Sequence, residues 1–217
     1  MKQRLRLAVL AIPVLMFGSR ADAGPLTVTL DTSPLSGTQT VVFGLTNFDA
    51  SSNTILLSHF AFGGGSAVPA SVDCTFGGTF SGLGCSGDLT SAVTLDDVDP
   101  VAAFFLQQFD PGATLSFELD ATNNFTGPVP DQFAFFVCTA DFSACYSDDN
   151  SAALLLLDLV GGTLSPGSFV LFGASQDGLP PPVVTAAGVP EPGTMLLFAA
   201  AAAVAAGRRR RSQSLTR

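Results

Sequence analysis

Pro111-Gly112-Ala113-Thr114-Leu115-Ser116-Phe117-Glu118-Leu119 decides how the rest of the chain is read. The Pro-Gly pair marks a turn. After it, Leu115, Phe117 and Leu119 fall on one face, and Thr114, Ser116 and Glu118 on the other. A period of two belongs to a half-buried β-strand. The alternation recurs at 26–30, 41–45 and 89–95. Residues 55–62, 132–138, 152–159 and 168–173 are apolar runs of strand length, the last placed just after the turn Pro166-Gly167. One stretch breaks the pattern: 100–109 (P-V-A-A-F-F-L-Q-Q-F) does not alternate and reads as a short helix opened by Pro100. About eight strands at this spacing predict an all-β fold, an antiparallel β-sandwich of jelly-roll type over residues 24–177. No fixed-period repeat points to a solenoid. Residues 178–188, with Pro180-Pro181-Pro182, read as an extended linker.

The ends of the 217-residue chain differ from its middle. All nine basic residues lie there: Lys2, Arg4, Arg6, Arg20, Arg208, Arg209, Arg210, Arg211 and Arg217. The stretch 24–188 holds 16 of the 18 carboxylates and no Lys or Arg. A domain so charged repels nucleic acid and anionic lipid and attracts cations. It also offers no amine nucleophile and no cationic clamp for an oxyanion or phosphate. Trp is absent, so the usual stacking platform of a sugar subsite is missing too.

Residues 1–23 read as a signal peptide. Lys2, Arg4 and Arg6 give the positive start, 7–17 the apolar stretch, and Ala21-Asp22-Ala23 an A-x-A site for signal peptidase. Cleavage there makes Gly24 the first mature residue. At the other end, the prolines of Val189-Pro190-Glu191-Pro192-Gly193-Thr194 exclude a helix. Residues 195–206 are wholly apolar. As a helix they span ~18 Å, against a hydrocarbon core of ~30 Å. Arg208, Arg209, Arg210 and Arg211 follow as a positive-inside stop, leaving 212–217 as a cytoplasmic tail. Such a helix is a transient inner-membrane anchor rather than a lasting one.

Motif, apolar segment and arginine cluster together resemble the PEP-CTERM sorting signal, also labelled "ice-binding protein C-terminal". Gly193 stands where the family more often has Ser. The resemblance, over 189–211, implies recognition by an exosortase near Pro190-Glu191-Pro192, in a Gram-negative bacterium that exports polysaccharide. The middle of the chain is similar to an uncharacterised group of PEP-CTERM proteins through L-L-S-H-F-A-F-G-G-G (56–65), S-G-D-L-T-S-A-V-T-L-D-D (86–97), P-G-A-T-L-S-F-E-L-D-A-T (111–122) and P-D-Q-F-A-F-F-V (130–137). That second resemblance implies no activity.

Four cysteines remain. Export favours disulfides, and of three pairings Cys74–Cys85 with Cys138–Cys145 closes the two shortest loops. Zinc is the alternative, but the C-x₂-C spacing of zinc ribbons is missing. Asp96, Asp97 and Asp99, and separately Asp148 and Asp149, are the densest carboxylate groups. They are candidates for weak Ca²⁺ binding, although neither continues as an EF-hand. No other cofactor is expected. His59, the only histidine, lies in an apolar strand beside Phe60, where no Ser or Cys around it suggests a triad, and reads as a core or sheet-face residue. Gly63-Gly64-Gly65 reads as a turn, and Asn124-Phe125-Thr126 as a chance sequon. The expected function is a non-catalytic structural or interaction protein of the cell surface or extracellular biofilm matrix. A polysaccharide- or Ca²⁺-binding module is the alternative.

Overall fold

The computed structural model describes residues 24–48, 51–98 and 101–187. Two six-stranded antiparallel sheets face one another. The first runs β12-β1-β8-β3-β6-β5, built from Val183–Ala186, Leu26–Asp31, Thr114–Ala121, Thr54–Ala61, Ala92–Asp96 and Cys85–Gly87. The second runs β11-β10-β9-β2-β7-β4, from Phe169–Leu171, Leu155–Leu159, Asp131–Thr139, Gln39–Thr46, Ala102–Asp110 and Ser66–Ala67. The pairs β1·β8, β2·β7 and β3·β6 are nested. The stretch 1–23 read as a signal peptide, with Ala21 and Ala23, Asp99, and everything from Gly188 onward lie outside the described residues.

The opening strand behaves as its pattern dictates. Along β8, Leu115, Phe117 and Leu119 are buried, Thr114, Ser116 and Glu118 half-buried and Asp120 exposed. Phe43 of β2 lies at the centre between the sheets. Its ring meets Phe105, Phe133 and Phe135 of its own sheet and Phe117 of the other, at centroid distances of 5.2–6.2 Å. One continuous core forms from both inner faces, and burial of such apolar surface is the main stabilising term.

Two expectations are corrected. The stretch expected as a helix from Pro100 is a strand over its described part: Ala102–Asp110 is β7, paired with β2 from Ala102↔Thr46 to Phe109↔Gln39, while Pro100 lies outside the described residues. The stretch does not alternate because both faces of the strand are covered, Phe105 and Phe109 by the core and Leu106 by a separate outer cluster. A strand buried on both sides loses its period-two signature. Nor is 178–188 a free linker. Val183–Ala186 is β12, which pairs with β1 at the sheet edge and carries the folded unit past residue 177.

At one end of the sandwich, two crossovers between the sheets press together. Gly65 donates its N–H to Phe62 O at 3.0 Å. A Cβ on Gly65 would stand 2.0 Å from Asp110 O, and one on Gly112 would stand 2.2 Å from Phe62 O. Only glycine permits this approach, so Gly63-Gly64-Gly65 and Pro111-Gly112 are one packed joint. Thr32 fastens it by donating its hydroxyl to Gly112 O at 2.9 Å.

Candidate functional site

The two candidate Ca²⁺ groups lie at opposite ends of the sandwich. Asp96 and Asp97 close β6 at the end where β2 finishes, whereas Asp148 and Asp149 follow β9 beyond the end where β2 begins. Their carboxylates tie loops. Asp97 accepts the Asn53 N–H at 2.5 Å, and its own carbonyl accepts from Asn47 Nδ2 at 3.0 Å. Asn53 Nδ2 donates to Asp131 at 2.8 Å and to Asn124 O at 3.1 Å; Asn53 Oδ1 accepts the Asn124 N–H at 2.8 Å. Asp131 also accepts the Phe48 N–H at 2.7 Å. Asn53, Asp97 and Asp131 are all buried. Burial raises the Asp97 pKa above the usual carboxylate value; the charge of Asp131 and a hydrogen bond to it add to the rise, and the Asn53 N–H opposes it.

Asp96 accepts the Thr54 hydroxyl at 2.6 Å. Asp148 accepts both the N–H and the hydroxyl of Ser175 at 2.9 Å. Asp149 accepts the Ser151 N–H at 2.9 Å, and its hydrogen bonds to Ser151 hold it below the usual range. No group of three or more His, Cys, Asp or Glu that could hold a metal occurs among the described residues. The loop of Asp97 was legible as acidic. The partnership of Asp97 with Asn53 and Asp131, 44 and 78 positions from Asn53, was not.

Both short disulfides are present, Cys74–Cys85 and Cys138–Cys145. They frame a feature that period-counting did not find. On the outer face of the second sheet, Val42, Leu106 and Cys138 are buried beneath Phe104 and Phe136. The stretch after Cys74 folds across this face, held by paired backbone hydrogen bonds of 2.9 Å between Asp73 and Leu106. It lays Phe76 and Phe80 on Phe104 at 5.3 and 4.7 Å. From the other disulfide loop, Phe142 meets Phe76 at 5.8 Å. The result is a cleft of about 320 Å³ walled by five phenylalanines, with Val42, Ala152 and the Cys138–Cys145 bridge completing the lining. The Phe104 ring lies so close to Gly44 that a Cβ there would approach it to 2.7 Å.

Phe76 and Phe142 hold φ of +50° and +58°. This left-handed backbone costs a bulky residue roughly 1–2 kcal/mol, and such outliers gather at binding sites and clamps. Beside the cleft, Asp141 accepts the Thr139 hydroxyl at 2.7 Å and the Ser143 N–H at 3.1 Å, and is held down to about 2. Asp73 accepts from Thr75 and from the Gly77 N–H, and is also lowered. Both carboxylates are therefore ionised over the physiological range.

His59 belongs to neither site. It sits in a bulge of β3 between Ser58 and Ala61, with φ +54°. Its exposed ring contacts the Glu118 carboxylate at 3.0 Å. The Ser58 hydroxyl lies 3.1 Å from the same ring nitrogen, Nδ1, and the residue stands on the sheet face rather than in the core.

The described part of the chain is thus an all-β protein of two facing antiparallel sheets, stapled by two disulfides. Residues 188–211 match the PEP-CTERM protein-sorting motif. The chain therefore carries a sorting signal that implies export to the cell envelope or surface and processing by an exosortase. The match covers Val189, Pro190, Glu191, Pro192, Gly193, Thr194 and the arginines at 208–211, all outside the described residues. No curated protein and no solved structure matches the chain. Among the described residues no helix is long and apolar enough to cross a membrane. The apolar segment 195–206 lies outside them.

Proposed function

We propose that the chain is a surface or extracellular-matrix protein with a structural or interaction role and no catalysis of its own. The sorting motif at 188–211 supports the export and surface placement in this reading. The signal peptide is removed before Gly24. The segment 195–206 anchors the protein transiently in the inner membrane with Arg208–Arg211 in the cytoplasm, and exosortase action near Pro190-Glu191-Pro192 ends that stage. The mature domain is then an anionic sandwich without Lys or Arg. The nested pairs β1·β8, β2·β7 and β3·β6 support a jelly-roll reading of its first eight strands. The phenylalanine cleft favours a second reading, in which the domain is a binding module.

Expression in a Gram-negative host with and without its exosortase gene tests the first reading. With the gene, the protein loses its C-terminal segment and leaves the inner membrane. Without it, or with Pro190→Ala and Pro192→Ala together, the full-length form accumulates in the inner-membrane fraction. Identical processing with and without exosortase overturns the reading.

A further inference from the structure

We propose that the phenylalanine cleft on the outer face of the second sheet binds an organic cation with an apolar body, of the alkylammonium class. Three observations support this occupant.

The first is the chemistry of the wall. Phe76, Phe80, Phe104, Phe136 and Phe142 present rings and no hydrogen-bonding group. A polar ligand that needs partners loses its hydration there without replacement. A quaternary or alkyl ammonium needs none, because the negative face of an aromatic ring attracts it directly. Phe80, Phe104 and Phe142 stand at 88°, 58° and 63° to Phe76, and Phe80 at 39° to Phe104, so the rings form angled walls rather than a flat stack.

The second is charge. No Lys or Arg exists between Arg20 and Arg208. The one histidine lies on β3 of the other sheet. Asp73 stands at the foot of one covering loop, and Asp141 immediately precedes Phe142 in the other, both lowered by their hydrogen bonds. This potential repels a fatty acid or phosphate ester and concentrates a cation.

The third is construction. Phe104 and Phe136 stand on β7 and β9, while Phe76 and Phe80 come from one loop and Phe142 from another, each loop closed by its own disulfide, and Phe76 and Phe142 are held in left-handed backbone. A cleft preorganised in this way loses little entropy on binding.

The test uses the exported protein purified from its host, with choline and its neutral carbon isostere 3,3-dimethylbutan-1-ol as probes in ligand-observed NMR titrations. Choline is expected to bind at least about five-fold more tightly than the isostere, in keeping with the strength of a partly desolvated cation–π contact. Phe142→Leu keeps an apolar wall but removes one ring, and is expected to weaken choline several-fold while leaving the isostere unchanged. Phe136→Leu repeats the measurement from the sheet itself should the loop variant unfold. Equal affinity for the two probes shows a merely apolar cleft and overturns the proposal. So does the absence of choline binding, or choline binding that both ring variants leave intact. None of these outcomes touches the sorting reading, which is tested by processing.

Discussion

Along β8, in the first sheet, buried residues alternate with half-buried or exposed ones. Along β2, in the second, seven consecutive residues are buried. The first sheet has one covered face, packed on the core. The central strands of the second have two, because the loops closed by Cys74–Cys85 and Cys138–Cys145 cover their outer side. The difference teaches where a small β-domain can place a binding surface. An outer layer of loops adds a second, shallow apolar cluster that the main core does not need, and the cleft lies within that cluster.

The largest expected effect comes from a residue that serves both sheets. Phe43→Ala removes the ring shared by Phe117 on one side and Phe105, Phe133 and Phe135 on the other. It should cost about 3–5 kcal/mol, read by denaturant unfolding. A loss under about 1.5 kcal/mol would mean that the inner faces do not form one core.

Next is the outer layer alone. Cys74→Ser with Cys85→Ser opens an 11-residue separation and should cost about 2–3 kcal/mol. Hydrogen exchange should show where. The amides of Asp73 and Leu106, bonded to each other across the covering segment, should lose protection beyond the global change. Those of Ser116 and Phe117 in β8 should not. Uniform loss across both sheets would erase the distinction drawn here.

This contrast also explains what the sequence made legible. β1, β2, β3, β8 and β9 stood out through alternation or apolar runs, because at least one face of each is a regular core face. β7 did not, because Leu106 and Phe104 fill the positions where solvent-facing polar residues would have kept the period. β12 did not, because Pro180-Pro181-Pro182 precedes it and only four residues follow as an edge strand. The disulfide pairing was readable from loop length. The cleft was not, since its rings come from β7, β9 and two loops, and only the strand register brings them together. The three phenylalanines at 76, 80 and 142, inside cysteine loops, were the one available signal.

The joint between the sheets gives a smaller effect. Gly65→Ala drives a Cβ against backbone atoms of the other crossover, Asp110 O at 2.0 Å and Gly112 N at 2.6 Å, so the two loops must separate. About 1–3 kcal/mol is expected. Gly167→Ala, whose nearest new neighbour is Ser165 Oγ at 3.8 Å, serves as the control and should stay within about 0.5 kcal/mol.

The smallest effect separates the buried carboxylate at the end of the first sheet from the exposed one beside the cleft. The Asp97 pKa is raised in the fold, so ionising it is harder folded than unfolded. Its contribution therefore turns unfavourable as pH rises above the unfolded value of 3.8, and the loss is complete once pH passes the raised folded value. Asp141 has the opposite sign. Held at about 2, it contributes stability above 3.8 that is lost as pH falls toward 2. Asp97→Asn keeps an oxygen for the Asn53 N–H and turns an amide toward Asp131. It should match the parent near pH 3 and exceed it in melting temperature at pH 7. Asp141→Asn should fall below the parent at pH 7 and converge on it near pH 2. Melting curves of both variants across this range decide the matter. An Asp97→Asn protein less stable than the parent at pH 7 would show that the pair with Asp131 and Asn53 stabilises the loops in its charged form. The end of the first sheet would then be held, like the cleft loops, by ionised acceptors.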